Sequence, residues 1–208
     1  MQVKNLSKIE NLTHGFYNTE ETKSITNPLL MTQVHSAHVL YTDTFVELPK
    51  TDGLITQKSH LNLTVKTADC APILIAEPNA HLISAVHAGW KSAFQGILEA
   101  AVVQLQQRGA KPQHMLVGIG PCLHKENFRM GPEIHALFPI TEHAFFTPTN
   151  DGGFLFDFIA YLKDRLHRMN IDNIDIIDID TYTNSAYNSY RRDPKNPARQ
   201  FSCIQWTD

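Results

Sequence analysis

The stretch from 72 to 86 constrains the fold most. Residues 72–76 form a short continuous apolar run, and residues 81–86 are apolar and partly β-branched. Between them, Glu77-Pro78-Asn79-Ala80 has turn chemistry. The pattern predicts two antiparallel strands joined as a hairpin, broken at Ala88-Gly89. The period then changes. Phe94, Ile97, Leu98, Ala101, Val102 and Leu105 recur at spacings of three and four. That is one apolar stripe on a helix over 92–108, with Gly109 as its stop and Pro112 beyond it.

The remaining chain alternates in the same way. Strands are expected at 61–65, 115–119, 174–179 and 201–206. A short helix is expected at 132–138. A second long amphipathic helix is marked by Leu155, Phe158, Ile159, Leu162 and Leu166. Residues 20–27 and 191–197 read as loops, and the first thirty residues are polar with little periodicity. Interleaved strands and helices place the chain in the α/β or α+β class, as a layered sandwich. At 208 residues it is long enough for one domain, 1–208, with a sizeable core.

Composition excludes several classes. Hydrophobic residues make up 42% and charged residues 19%, which does not suit a disordered chain. The formal net charge is −3, so no basic excess points to nucleic acid or an anionic membrane. The longest apolar run, 71–76, is far short of the ~20 residues of a membrane span. No apolar leader segment stands in residues 1–20. The three cysteines, Cys70, Cys122 and Cys203, are odd in number and widely spaced. They suit a reducing cytoplasm better than a disulfide framework.

Three places combine reactive side chains with a break in secondary structure: Thr32-Gln33-Val34-His35, Thr67-Ala68-Asp69-Cys70 and His87-Ala88-Gly89-Trp90. The hairpin register brings Cys70 and His87 to the same open end; spacing alone does not place His35. One Cys and two His make a three-ligand zinc set, with the fourth position left for water. A Cys70 nucleophile with His87 as base needs the same proximity without a metal. Cys70 as a small buried hydrophobe is the plain alternative. Asp69 is the nearest carboxylate in sequence. Arg191, Arg192, Lys195 and Arg199 form a cationic cluster suited to phosphate or carboxylate. Trp90 and tyrosines 182, 187 and 190 are candidates to stack on a planar ring.

Together with Gly118-Ile119-Gly120-Pro121-Cys122 and Ser189-Tyr190-Arg191-Arg192, these motifs occur in an order that resembles the YfiH family, also called the polyphenol oxidoreductase laccase or laccase-domain family. The resemblance runs from His14-Gly15-Phe16 nearly to the C-terminus. It implies a layered α/β sandwich of mixed β-sheets flanked by helices. It implies zinc, one per chain, on His35, Cys70 and His87, and these three as the catalytic centre. It also implies phosphorolysis of adenosine, inosine, guanosine and methylthioadenosine, with adenosine deamination beside it. The expected partners are purine nucleosides and phosphate, with Lys91, Arg191 and Arg192 as substrate contacts. Older usage makes such proteins copper-dependent polyphenol oxidases, and a role in peptidoglycan fidelity suggests a Cys–His hydrolase or amidase. No His-x-His pair of the kind multicopper oxidases carry occurs here. This chain departs from the family pattern at Tyr17-Asn18-Thr19-Glu20, Lys91-Ser92, Asp180-Thr181 and Ala198-Arg199-Gln200, none of which includes the three ligands.

Overall fold

The computed structural model describes residues 1–44 and 49–208. Its first half contains strands β1 (Leu12–Phe16), β2 (Pro28–Leu29), β3 (Val39–Tyr41), β4 (Gly53–Thr56), β5 (Asn62–Thr67), β6 (Ala71–Glu77) and β7 (Leu82–Ala88). Helices α1 (Trp90–Phe94) and α2 (Ile97–Gln106) follow, then β8 (Leu116–Ile119), β9 (Arg129–Met130) and α3 (Pro132–His135). The chain ends with β10 (Phe146–Pro148), β11 (Phe154–Phe156), α4 (Phe158–Arg168), β12 (Ile174–Ile176) and β13 (Gln200–Trp206).

The expected hairpin is the centre of the molecule. β6 and β7 pair antiparallel, with Pro72 opposite His87 and Ala71 opposite Ala88. They sit inside a six-stranded mixed sheet of order β12-β8-β6-β7-β4-β3. Every residue of both strands is buried, because both faces of the sheet are covered. Ile73, Ile75 and Val86 face a core shared with Ile97, Ala101 and Leu105 of α2 and Phe158, Leu162 and Leu166 of α4. Leu74, Ala76, Ile83 and Ala85 face the other way, against Leu63, Val65 and Ile204 of a second sheet ordered β1-β13-β5-β2. The architecture is therefore helices on a mixed sheet on a second mixed sheet. A third, small sheet, β10-β11-β9, flanks the helical side. Each fully buried Leu or Ile contributes ~1.5–3 kcal/mol, so the hairpin is the most strongly held platform available for a site.

Several expectations need correction. The helix over 92–108 is two helices, because Gly96 has φ +90° and breaks the hydrogen-bond ladder between α1 and α2. Leu155 belongs to β11 rather than to the second long helix. That helix starts at Phe158, where the Asp157 carboxylate accepts from the Ala160 N–H at 3.0 Å. The helix at 132–138 stops at His135, and the strand at 174–179 stops at Ile176. His81 lies in the hairpin turn with φ 51°, and β7 begins one residue later. The aperiodic first thirty residues contain β1 and β2, both held by long-range pairing: β1 with β13 and β2 with β5. Among the described residues no helix is long and apolar enough to cross a membrane.

Candidate metal centre

Cys70 precedes β6 and His87 is the next-to-last residue of β7, so the hairpin register sets them side by side. His35 arrives from the loop after β2. Its backbone is left-handed, φ 57°, and a single buried carboxylate holds it there. Asp52, fully buried just before β4, accepts from the N–H groups of Val34 (3.2 Å), His35 (3.0 Å) and Ser36 (2.7 Å) and from the Ser36 hydroxyl (2.8 Å). The same carboxylate accepts from His87 Nδ1 at 2.9 Å. That bond fixes the ring tautomer and leaves Nε2 for the cluster. The Asp52 carbonyl also accepts from the His87 N–H at 2.7 Å.

The ligand atoms of His35, Cys70 and His87 all lie within 4.8 Å of one another. Cys70 Sγ is 3.8 Å from His35 Nε2. In a tetrahedral zinc site, Zn–S and Zn–N bonds of about 2.3 and 2.05 Å put the sulfur about 3.6 Å from each nitrogen. The donor set and its spacing therefore fit zinc with little movement. His87 is buried, Cys70 half-buried and His35 exposed, so the cluster is reachable from one side. Gly89 forms its floor. A Cβ there would stand 3.0 Å from His35 Cδ2 and 3.1 Å from Cys70 Sγ.

The electrostatics follow from the same contacts. Burial alone pushes the Cys70 thiol up. The His87 charge and hydrogen bonding to both imidazoles outweigh it and draw the thiol down to about 6. Burial pushes His87 down, but Cys70 and Asp52 carry it up to about 9. Burial opposes ionisation of Asp52 too, yet the His87 and Ser36 bonds hold it well below the carboxylate range. The three groups thus stabilise a thiolate beside an imidazolium, the deprotonated sulfur that a metal takes.

The cluster opens into a cleft of about 760 Å³. Its apolar walls are Trp90, Leu123, Phe128, Phe158 and Tyr190, and its cations are Lys66, Arg191 and Arg199. Of the expected substrate contacts, only Arg191 lines it. Lys91 is exposed on α1 and does not line the cleft. Arg192 does not line it either; its guanidinium donates to the carbonyls of Thr181, Tyr182 and Tyr187 and braces the loop that carries Tyr190. Asp69 lines the cleft with both oxygens engaged, accepting from the Thr181 hydroxyl at 2.7 Å and the Arg191 N–H at 2.6 Å. It pins that loop. Cys122 is core, its thiol pushed up by burial and by Asp180. Tyr187 is buried and Tyr182 lies outside the cleft. Sequence reading missed Asp52, Lys66, Phe128 and, as a cleft wall, Phe158. For Asp52 a signal existed: a lone acid directly ahead of the apolar Gly53-Leu54-Ile55.

Comparison with known proteins places the chain in a family. The chain is 32% identical over 193 residues to a purine nucleoside phosphorylase of Rickettsia prowazekii, covering 90% of this chain and 77% of that protein. It is 30% identical over 166 residues to a purine nucleoside phosphorylase of Streptomyces coelicolor, covering 78% and 69%. In fold it is similar to a Neisseria meningitidis protein with a TM-score of 0.84, at 22% identity over 96% of both chains. It is also similar to the Bacillus licheniformis hypothetical protein YfiH with a TM-score of 0.80, at 24% identity over 86% and 74%. The sequence model of the multi-copper polyphenol oxidoreductase laccases matches residues 13–207, and the chain belongs to that family.

Proposed function

We propose that this chain is a zinc-dependent purine nucleoside phosphorylase whose metal is held by His35, Cys70 and His87. The observation that carries the reading is that two imidazoles and a thiol meet at the end of the central hairpin, inside a cleft with flat apolar walls and cations. The relatives named as purine nucleoside phosphorylases support it. In the reaction a phosphate oxygen forms a bond to C1′ of the ribose. The C1′–N9 bond breaks, its electron pair stays on the purine, and the proton that phosphate loses ends on the base. The products are a free purine and ribose-1-phosphate. A divalent ion at the cluster supplies a Lewis acid. The chain itself supplies orientation. Trp90, Phe128, Phe158 and Tyr190 form flat walls for a purine ring, and Asp52 fixes His87 and the His35 loop.

The finer expectations belong to the same proposal: adenosine, inosine, guanosine and methylthioadenosine as substrates, and deamination of adenosine. So does a cytoplasmic setting, which the three free thiols suit. Copper-dependent polyphenol oxidation fits less well. Multicopper chemistry needs several ligand clusters, and among the described residues His35, Cys70 and His87 form the one such group.

The test uses purified, metal-quantified protein with adenosine, with and without phosphate, followed by product chromatography. Adenine and ribose-1-phosphate that appear only with phosphate are expected, and inosine in either condition reports deamination. Cys70→Ala is expected to abolish turnover and lower zinc content. Turnover retained after complete metal removal contradicts the proposal and favours Cys70 as a nucleophile with His87 as its base.

A further inference from the structure

Resting on the phosphorylase reading, we infer that Lys66, Arg191 and Arg199 form the subsite that holds inorganic phosphate. Three observations carry this. First, the three cations line the cleft that contains the metal ligands, and none has a carboxylate within ion-pair distance among the described residues. The acid that shares the cleft, Asp69, has both oxygens turned to the Thr181 hydroxyl and the Arg191 N–H. Three unpaired cations in a chain of net charge −3 mark a place built for an anion.

Second, both guanidinium groups are braced from behind. Arg191 Nη1 donates to the carbonyls of Asn127 and Arg129 at 3.0 and 3.1 Å. Arg199 Nη1 donates to the carbonyls of Asn196 and Ala198 at 3.2 and 2.7 Å. Among the described residues their remaining N–H groups have no partner, in the held, forked form that suits phosphate. Arg192 is the contrast: its guanidinium is committed to the loop.

Third, the register places the cations close together and close to the metal. Phe201 of β13 lies opposite Lys66 and Gln200 opposite Thr67, so Arg199, the residue just before β13, stands beside the end of β5 that carries Lys66. The Gln33 side chain donates to the Lys66 carbonyl at 2.7 Å and accepts from the Lys66 N–H at 2.9 Å. Lys66 is thereby tied to the loop that carries His35, two residues on.

The same oxyanion chemistry comes from two sources, free phosphate and the 5′-phosphate of a nucleotide, and the test separates them. Zinc-loaded wild type, Lys66→Met and Arg199→Met are compared, with Lys111→Met as a control for loss of one charge far from the cleft. Adenosine kinetics at varied phosphate are expected to show the phosphate KM rising about tenfold for each cation variant. Adenosine KM and zinc content are expected to stay within about twofold. Thermal unfolding against inorganic phosphate, without nucleoside, is expected to show a rise in Tm that both variants lose and Lys111→Met keeps.

If wild type is stabilised by phosphate through these residues yet splits no nucleoside, the phosphorylase reading fails and the anion subsite stands. Phosphorolysis with an unchanged phosphate KM in both variants overturns the subsite and leaves the phosphorylase reading intact. Stabilisation by adenosine 5′-monophosphate through these residues, with none by inorganic phosphate, also overturns the assignment.

Discussion

Asp52→Asn tests how one buried carboxylate assembles the centre. Asp52 accepts five hydrogen bonds, from Val34, His35 and Ser36 N–H, the Ser36 hydroxyl and His87 Nδ1, and is fully buried. Asparagine keeps one acceptor oxygen and puts an NH₂ where the second stood. That NH₂ faces either the Val34 and Ser36 N–H groups or the His35 N–H and His87 Nδ1–H, donor against donor. Breaking a buried charged pair of this kind costs ~3–5 kcal/mol, a large share of a domain's ~5–15 kcal/mol. Turning the His87 ring to its other tautomer relieves one clash but places a proton on the Nε2 that faces Cys70. Zinc affinity is therefore expected to fall about 10–100-fold. The measurements are urea unfolding of the metal-free protein and chelator competition for zinc. The pH sign follows from a depressed carboxyl. Its contribution is fully present above the ordinary carboxylate range of about 4 and is lost only as pH falls through the lower folded value. The carboxyl's own part of the gap between variant and wild type closes only in strong acid, while the part that acts through His87, which Asp52 helps raise to about 9, is full below about 6.5 and is lost as pH rises through about 9. A variant within 1 kcal/mol of wild type (~1 kcal/mol being the size of a single ordinary hydrogen bond), with unchanged zinc affinity, would refute the reasoning.

Three further outcomes are expected. In metal-free protein, iodoacetamide is expected to modify one thiol of three rapidly, Cys70, with a rate midpoint near pH 6, since burial pushes Cys122 and Cys203 up; peptide mapping identifies the site. His87→Gln should return that midpoint toward the ordinary thiol value of about 8.5, and zinc should block the reaction. Gly89→Ala adds a Cβ 3.0 Å from His35 and 3.1 Å from Cys70 at an ordinary backbone φ of −83°. Overpacking of ~1–3 kcal/mol should appear as about tenfold or more weaker zinc binding, with unfolding of the metal-free protein changed less. Gly120→Ala places a Cβ within the Phe16 ring and against Pro72, far from solvent. It should destabilise the fold by ~3 kcal/mol or more, read as a lowered Tm with or without zinc.

The parts legible in the sequence are those whose information is local. The β6–β7 hairpin was readable because two continuous apolar runs flank a turn, and from it the pairing of Cys70 with His87 followed by register alone. The apolar stripe of α4 was equally readable from Phe158 onward. The features that escaped depend on distant partners. β1 is buried over His14, Gly15 and Phe16 without alternation and exists by pairing with β13 at the other end of the chain. His35 joins the cluster only because Asp52, seventeen residues away, gathers its loop. Arg191 and Arg192 are adjacent and chemically alike, yet one guanidinium lines the cleft and the other staples a loop. No spacing rule separates them. Lys66 is one polar residue in an alternating strand, and its proposed role comes from Arg199, which directly precedes the neighbouring strand β13.

The most direct test of the account is zinc X-ray absorption on stoichiometrically loaded wild type and Cys70→Ser protein. The account predicts one zinc per chain with a single sulfur neighbour at about 2.3 Å and nitrogen or oxygen neighbours at about 2.0–2.1 Å, the sulfur disappearing in the variant. Zinc that shows no sulfur neighbour in wild type, or that keeps it after Cys70→Ser, contradicts the centre built from His35, Cys70 and His87.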